Sequence, residues 1–394
     1  MAPDRRSDVA MSEKQSVVSE RDNPQISSRR LLPVDLLRGW IIVFMALDHA
    51  SYFAAHQHSS GEYWGGPMPV FASTLAFLTR LVTHFCAPGF FFLMGAGMAL
   101  FAESRRTKGW SEARIIQHFA IRGGLLIALQ LLLINHFWQL GPFPFPSIYI
   151  GVLIALGGGM ILGSFMLRFK PLPLLLGAFV LFLGTELLHP EPSFWNLLET
   201  DPLNLVLLRS GGTDSFWSNY PILPWLELIV FGIVFGGWLH TNQKQAYKRA
   251  AYLGLIFLAL FLGLRLLNGF GNIRPRVGDG WMDFLTLVKY PPSMTFTLFT
   301  MGGNLLLLWV FSRLPEGVLA FLGPLAVFGQ APLFFYILHL PLYILLGAWL
   351  TPGGSSLGIM FLIWLFGLVI LYPLTWMYTR LKRSQPPESL LRFL

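Results

Sequence analysis

Cysteine is almost missing from this 394-residue chain: Cys86 stands alone, which excludes an internal disulfide and leaves the redox compartment unspecified. Charge is scarce as well. Only 12% of residues are Asp, Glu, Lys or Arg, against about 25% in soluble domains. No Walker A motif, dinucleotide glycine fingerprint or metal-spaced His/Cys set occurs, so neither a P-loop, a dinucleotide fold nor a metal site is expected. No tandem repeat is visible. Residues 1–30 are polar and carry Arg and Lys without an apolar core. They read as a disordered cytoplasmic tail rather than a signal peptide.

Apolar sequence fills the space that charge leaves. Hydrophobic residues make up 54% of the chain and the mean hydropathy is +0.58. Runs of about 20 apolar residues recur, long enough to cross a bilayer. The fold class expected is an all-α polytopic membrane bundle. Spans fall near 33–55, 75–102, 116–138, 147–167, 171–189, 221–240, 249–268, 293–312, 329–350 and 357–379, about ten helices with a range of 9–11. Gly323-Pro324 and Pro332 point to a broken or re-entrant piece at 314–329. The domain reading is a tail at 1–30, a transmembrane domain at 31–380 and a cytoplasmic tail at 381–394. The net charge of +8 does not indicate nucleic acid. Basic residues sit in every second connection, which places both termini in the cytoplasm. Leu93–Leu100 and Gly157-Gly158-Gly159 are small-residue patches suited to close helix packing.

The first span, Leu32–Phe53, holds Asp35, Arg38, Asp48 and His49. A charge at the centre of a membrane helix costs about 2.5–3.5 kcal/mol on insertion scales, so such groups need partners or a polar cavity. Arg38 and His49 are eleven positions apart, about three turns, which puts them on one face roughly 16 Å apart. His49 is the leading candidate for chemistry, as a proton acceptor or an acyl carrier. Asp48 is its neighbour but diverges from it by about 100°, so the partner of each belongs on another helix. Arg38 is either a positive-inside anchor paired with Asp35 or an anion clamp. Arg80 and His84 form a second polar pair four residues apart before Pro88. His339 sits among apolar neighbours and reads as a satisfied core histidine, with a substrate contact as the alternative. The loops 56–74, 190–220 and 269–292 combine aromatics with carboxylates, including Glu62, Trp217 and Tyr290. These serve either as interfacial anchors or as contacts for a polyhydroxyl ligand.

Four stretches carry a family resemblance. They are Asp35-Leu-Leu-Arg-Gly with Asp48-His49; Thr83-His-Phe-Cys-Ala-Pro88 with Phe91-Phe-Leu-Met-Gly95; Lys289-Tyr-Pro-Pro-Ser293; and Phe328–His339. In this order they resemble the bacterial relatives of heparan-α-glucosaminide N-acetyltransferase. The Arg38-to-His49 spacing is also similar to the Arg-x10-His motif of the wider superfamily that acylates cell-surface sugars. The resemblance implies transfer of an acyl group from cytoplasmic acetyl-CoA or another acyl-CoA, through a histidine, to a sugar-like or glycolipid-like acceptor across the membrane. It implies a bacterial plasma-membrane location. The catalytic set expected is His49, Asp48 and His84. The donor set is Arg38, Asp35 and Arg80. The acceptor set is His56, His58, Tyr290, Ser293 and His339. The lysosomal pattern has asparagine at the position of His49 and its histidine near Ser60, so His56 and His58 stand beside His49 and His84 as catalytic candidates. The partners expected are acyl-CoA, the acceptor, the bilayer and a second copy of the chain as a homodimer, with no nucleic acid and no metal. A transporter or flippase for an anionic lipid or sugar is the competing reading. A scaffold is the third, and it requires charges paired only with one another and no cavity open to the cytoplasm.

Overall fold

The structure, a computed structural model, describes residues 32–57, 61–189 and 197–385. Helix α1 runs Leu32–Ala50 and continues as a π-helical turn through Ser51–Ala55. Then follow α2 Thr74–Thr83, α3 Cys86–Arg106, and α4 Glu112–Leu129, which passes through a second π turn at Gln130–Ile134 into α5 Asn135–Gln139. Next come α6 Val152–Met166, α7 Pro171–Leu187, α8 Pro202–Leu207, α9 Ile222–Thr241 and α10 Gln243–Leu267. The last group is α11 Trp281–Leu285, α12 Met294–Phe311, α13 Glu316–Phe321, α14 Gly323–Gln330, α15 Pro332–Leu350 and α16 Leu357–Ser384. Among the described residues, seven helical runs are long and apolar enough to cross a membrane, and α6 and α7 are shorter apolar helices. Helix α1 is as long as several of these but carries more charge.

Local signals set the helix boundaries. Ser73, Ser111, Asn242, Ser293 and Ser356 each accept a hydrogen bond from a backbone N–H in the first turn of α2, α4, α10, α12 and α16. Pro171 opens α7, where its missing N–H would have no helical partner. Asn268 ends α10 in the left-handed conformation. The break near 314–329 is real: two short helices, α13 and α14, lie between α12 and α15. Helix α16 runs on to Ser384.

Packing depends on glycine at a few crossings. A Cβ on Gly39 would come within 1.8 Å of the Leu325 carbonyl oxygen, and one on Gly329 within 2.0 Å of that of Asp35. Backbone therefore meets backbone where α14 lies on α1. Gly95 and Gly232 do the same between α3 and α9. Helix α9 is the enclosed centre, with Trp225, Ile229 and Phe235 fully buried. Trp364 of α16 donates its Nε1–H to the Val43 carbonyl of α1 at 3.0 Å.

The two ends of the bundle differ. Arg38 donates to the Gly329 carbonyl at 3.1 Å and Arg383 to Gln330 at 2.7 Å. The start of α1 and the finish of α16 thus share one end, here termed the terminal end. The opposite end is capped by loops and a three-stranded patch. In it β1, Ile148–Ile150, runs parallel to β3, Phe216–Ser218, with Tyr149 facing Trp217. The strand β2, Gly211–Gly212, is antiparallel to β3.

Candidate functional site

A cavity of about 420 Å³ lies along α1. That is within the roughly 300–1,000 Å³ of small-molecule sites. At the terminal end its lining includes Arg38, Arg122, Gln330 and Lys382. Its middle is apolar, with Met45, Phe90, Met94 and Leu126 among the walls. At the capped end it meets Asp48, His49, Trp138, Tyr149, Tyr220, Lys289 and Tyr290. Basic groups thus line the cavity toward the terminal end, and a carboxylate, an imidazole and a lysine line it toward the capped end. The Arg38-to-His49 face of α1 spans the interval, about 16 Å along the axis.

His49 is held by α15. Its Nδ1 lies 2.6 Å from His339 Nε2, and the two rings stack with centroids 4.8 Å apart. The edge of Trp138 closes the other side at 5.3 Å. His339 is fully buried, and its Nδ1 contacts the Phe335 carbonyl at 3.0 Å.

Asp48 looks elsewhere, as its helical position requires. Its Oδ1 accepts from Arg80 Nη1 at 2.9 Å and from Thr83 Oγ1 at 2.8 Å. Arg80 also grips Glu62 bidentately: Nε and Nη2 donate to the two carboxylate oxygens, each at 2.6 Å. His84 Nε2 adds a contact to Glu62 at 3.3 Å. Arg80 and His84 do meet, but through Glu62: Arg80 lies in the last turn of α2 and His84 is the C-cap of that helix. Neither lines the main cavity. Arg80 holds Asp48 from behind it, and His84 reaches Glu62. A smaller space of about 20 Å³, enough for one water, adjoins Asp48, Ser51, Gln57 and Arg80 on the far side.

Glu62 reaches this depth because its loop is tied to residues 288–290. The Glu62 carbonyl accepts from the backbone N–H of Lys289 and Tyr290 at 2.9 and 3.0 Å, and Trp64 N donates to the Tyr290 carbonyl at 3.0 Å. The Trp64 ring is wholly buried and donates to the Ser210 carbonyl at 2.7 Å. Burying an indole contributes about 4–6 kcal/mol before entropy, enough to hold a loop down. Burial by itself would raise the Glu62 carboxyl; the Arg80 guanidinium, with His84 helping, more than reverses this and holds it well below the usual carboxylate range. The same pairing delivers Lys289, 3% exposed, to the cavity, with its ammonium 5.1 Å over the Tyr290 ring. An aromatic relay backs that end. Trp217 Nε1 donates to Asn219 Oδ1 at 2.8 Å, Tyr63 Oη to the same oxygen at 2.5 Å, and Asn219 Nδ2 to Tyr149 Oη at 3.0 Å.

The remaining candidates are dispersed. Asp35 binds Arg38 at 3.0 Å, and only Arg38 of that pair lines the cavity. Tyr290 lines it. Ser293 does not: it is fully buried and caps α12. His339 does not line it either and touches His49 instead. His56 terminates the π turn with φ 53°, outside the cavity lining. His58 lies outside the described residues. Sequence reasoning passes over Arg122, Lys382, Gln330 and Tyr149. For Arg122 the signal is present, a basic residue inside an apolar run, but Lys382 and Gln330 resemble ordinary interfacial groups. Among the described residues no cluster of His, Cys, Asp and Glu is suited to a metal ion.

The family model described as heparan-alpha-glucosaminide N-acetyltransferase, catalytic, matches residues 30–268. No curated protein matches the chain. The matched segment contains Arg38, Asp48, His49, Glu62 and Arg80. It stops short of Lys289, Gln330, His339 and Lys382.

Proposed function

The chain belongs to the heparan-alpha-glucosaminide N-acetyltransferase catalytic family, and from that premise we propose that this integral membrane protein passes an acyl group from acyl-CoA, through the cavity along α1, to a hydroxyl or amine of a sugar-like acceptor. The observation that carries the reading is one cavity lined by Arg38 and, about three helical turns away, by Asp48 and His49.

Arg38, Arg122 and Lys382 offer the charge-assisted contacts that the donor's phosphates need. The apolar middle suits the acylated arm, laid over about 16 Å of helix. At the capped end His49 takes the proton from the acceptor's O–H or N–H. The acceptor's heteroatom bonds to the thioester carbonyl, the C–S bond breaks, and His49 returns the proton to the leaving thiolate. The products are the acylated acceptor and free CoA, so atoms and charge balance. Tyr149, Tyr220, Tyr290 and Lys289 supply rings and polar atoms for the acceptor. Basic connections at the terminal end favour a cytoplasmic placement of that end, and α1 with the seven long apolar runs and the shorter helices α6 and α7 gives about ten passes.

The test is transfer from labelled acetyl-CoA by purified protein in proteoliposomes. His49→Ala lowers kcat by about 100-fold or more, and Arg38→Ala raises the donor KM. Wild-type transfer by both variants refutes the reading. Flux of an anionic lipid or sugar without any CoA donor, together with no transfer, puts the transporter in its place.

A further inference from the structure

We infer that His339 is the positioning residue of the candidate base: it fixes the tautomer of His49. The argument is one of hydrogen-bond direction. A carbonyl oxygen only accepts, so His339 Nδ1, 3.0 Å from the Phe335 carbonyl, carries a proton and donates it. Neutral imidazole has one N–H, so His339 Nε2 bears the lone pair. Its neighbour at 2.6 Å, His49 Nδ1, is then the donor of that bond. The proton of His49 is thereby assigned to Nδ1, and the lone pair to Nε2 of the residue that lines the cavity.

Doubly protonated His339 would reverse the direction, but its surroundings oppose it. The ring is fully buried and is contacted by Phe335, Tyr336 and Tyr343 at 5.3, 5.4 and 6.4 Å. The nearby carboxylate, Asp48, is engaged by Arg80 and Thr83. A cation there would sit in a low-dielectric aromatic box. A buried imidazole thus plays the part that a carboxylate plays in hydrolase triads, without its charge. The proton that His49 accepts passes on to the leaving thiolate.

This inference draws its meaning from the acyltransferase reading, but its test does not depend on it. Wild type, His339→Gln and His339→Leu are compared in two assays on purified protein. Gln places an amide oxygen near the site of Nε2 and can accept from His49; Leu cannot. In acyl transfer, Leu lowers kcat by about tenfold or more at unchanged acceptor KM, because a mis-set tautomer disables a base of this kind. Gln keeps kcat within about threefold of wild type, the hydrogen bond being retained. The second assay is carbethoxylation of His49 by diethyl pyrocarbonate, read by peptide mass spectrometry. There Nε2 bonds to the carbonyl carbon, the anhydride C–O bond breaks, and the departing ethyl carbonate takes the imidazole proton and decays to ethanol and carbon dioxide. His49 reacts fastest in wild type, nearly as fast with Gln and several-fold slower with Leu. Equal rates in all three overturn the inference, as does a wild-type kcat for Leu or a defect confined to the acceptor KM. If the reagent order holds while wild type transfers no acyl group, the histidine pair stands and the acyltransferase reading falls.

Discussion

Arg80 is the residue whose loss is most informative. It faces two carboxylates at once: Glu62 through paired 2.6 Å bonds and Asp48 at 2.9 Å. The Arg80 and Glu62 side chains are 4% and 2% exposed, and Asp48 is 18% exposed. Removing one partner of a buried ion pair costs about 3–5 kcal/mol, largely from the stranded charge. Arg80→Leu strands both acids, so it falls at about 5 kcal/mol or above. Glu62→Gln leaves Arg80 its contact with Asp48 and loses less, about 2–3 kcal/mol. Arg80→Leu combined with Glu62→Leu removes the deepest stranded charge and recovers part of the loss, so the two substitutions are not additive. The assay is the temperature at which half of the detergent-solubilised protein still elutes as a monodisperse peak. The expected order is wild type highest, then Glu62→Gln, then the double variant, then Arg80→Leu. A single Arg80→Leu substitution as stable as wild type, or milder than Glu62→Gln, refutes the charge argument.

Acid should act through the same pair. The carboxyl of Glu62 is lower in the fold than its ordinary 4.5, so its contribution is fully present above that value and is lost as pH falls through the lower, folded one. Stability measured by the same elution assay therefore stays level down to about pH 5 and drops below it, and Glu62→Gln removes that component. At the α3–α9 crossing, a Cβ on Gly232 would meet the Phe92 carbonyl at 2.1 Å. Gly232→Ala separates the helices and destabilises by about 1–3 kcal/mol, and an unchanged elution midpoint would contradict the contact. Arg38→Gln weakens donor binding by about tenfold through the loss of a charge-assisted bond, which calorimetric titration with CoA can read; unaltered affinity would remove Arg38 from the donor site.

Elements set by one stretch of chain are legible in the sequence, whereas those set by two stretches are not. The apolar runs at 171–189, 221–240 and 357–379 correspond to the helices Pro171–Leu187, Ile222–Thr241 and Leu357–Ser384. Proline and glycine mark the break that becomes α13 and α14. The polar face of α1 follows from helical period alone, and it does border a cavity. Helical period also separates Asp48 from His49, and the structure gives them different partners. The identity of those partners is a matter of packing. Arg80 and Glu62 come from a loop and a helix that only the pairing with residues 288–290 brings together. Ser293 reads as polar and available within a shared motif, yet its hydroxyl is consumed by a helix cap. His339 reads as a core residue, and it is buried, but its bond to His49 crosses 290 residues of sequence that no local pattern encodes.

That separation has a bearing on biogenesis. Translation runs at about 5–20 residues per second, so roughly 15–60 s pass between the emergence of His49 and that of His339. During this interval α1 enters the insertion machinery with Arg38 and its imidazole still lacking their companions from α14 and α15, whereas Arg80 follows Asp48 after only 32 residues. Its residence in lipid is therefore provisional until later helices arrive, and ribosome stalling beyond α12 would leave an N-terminal fragment open to quality-control proteolysis.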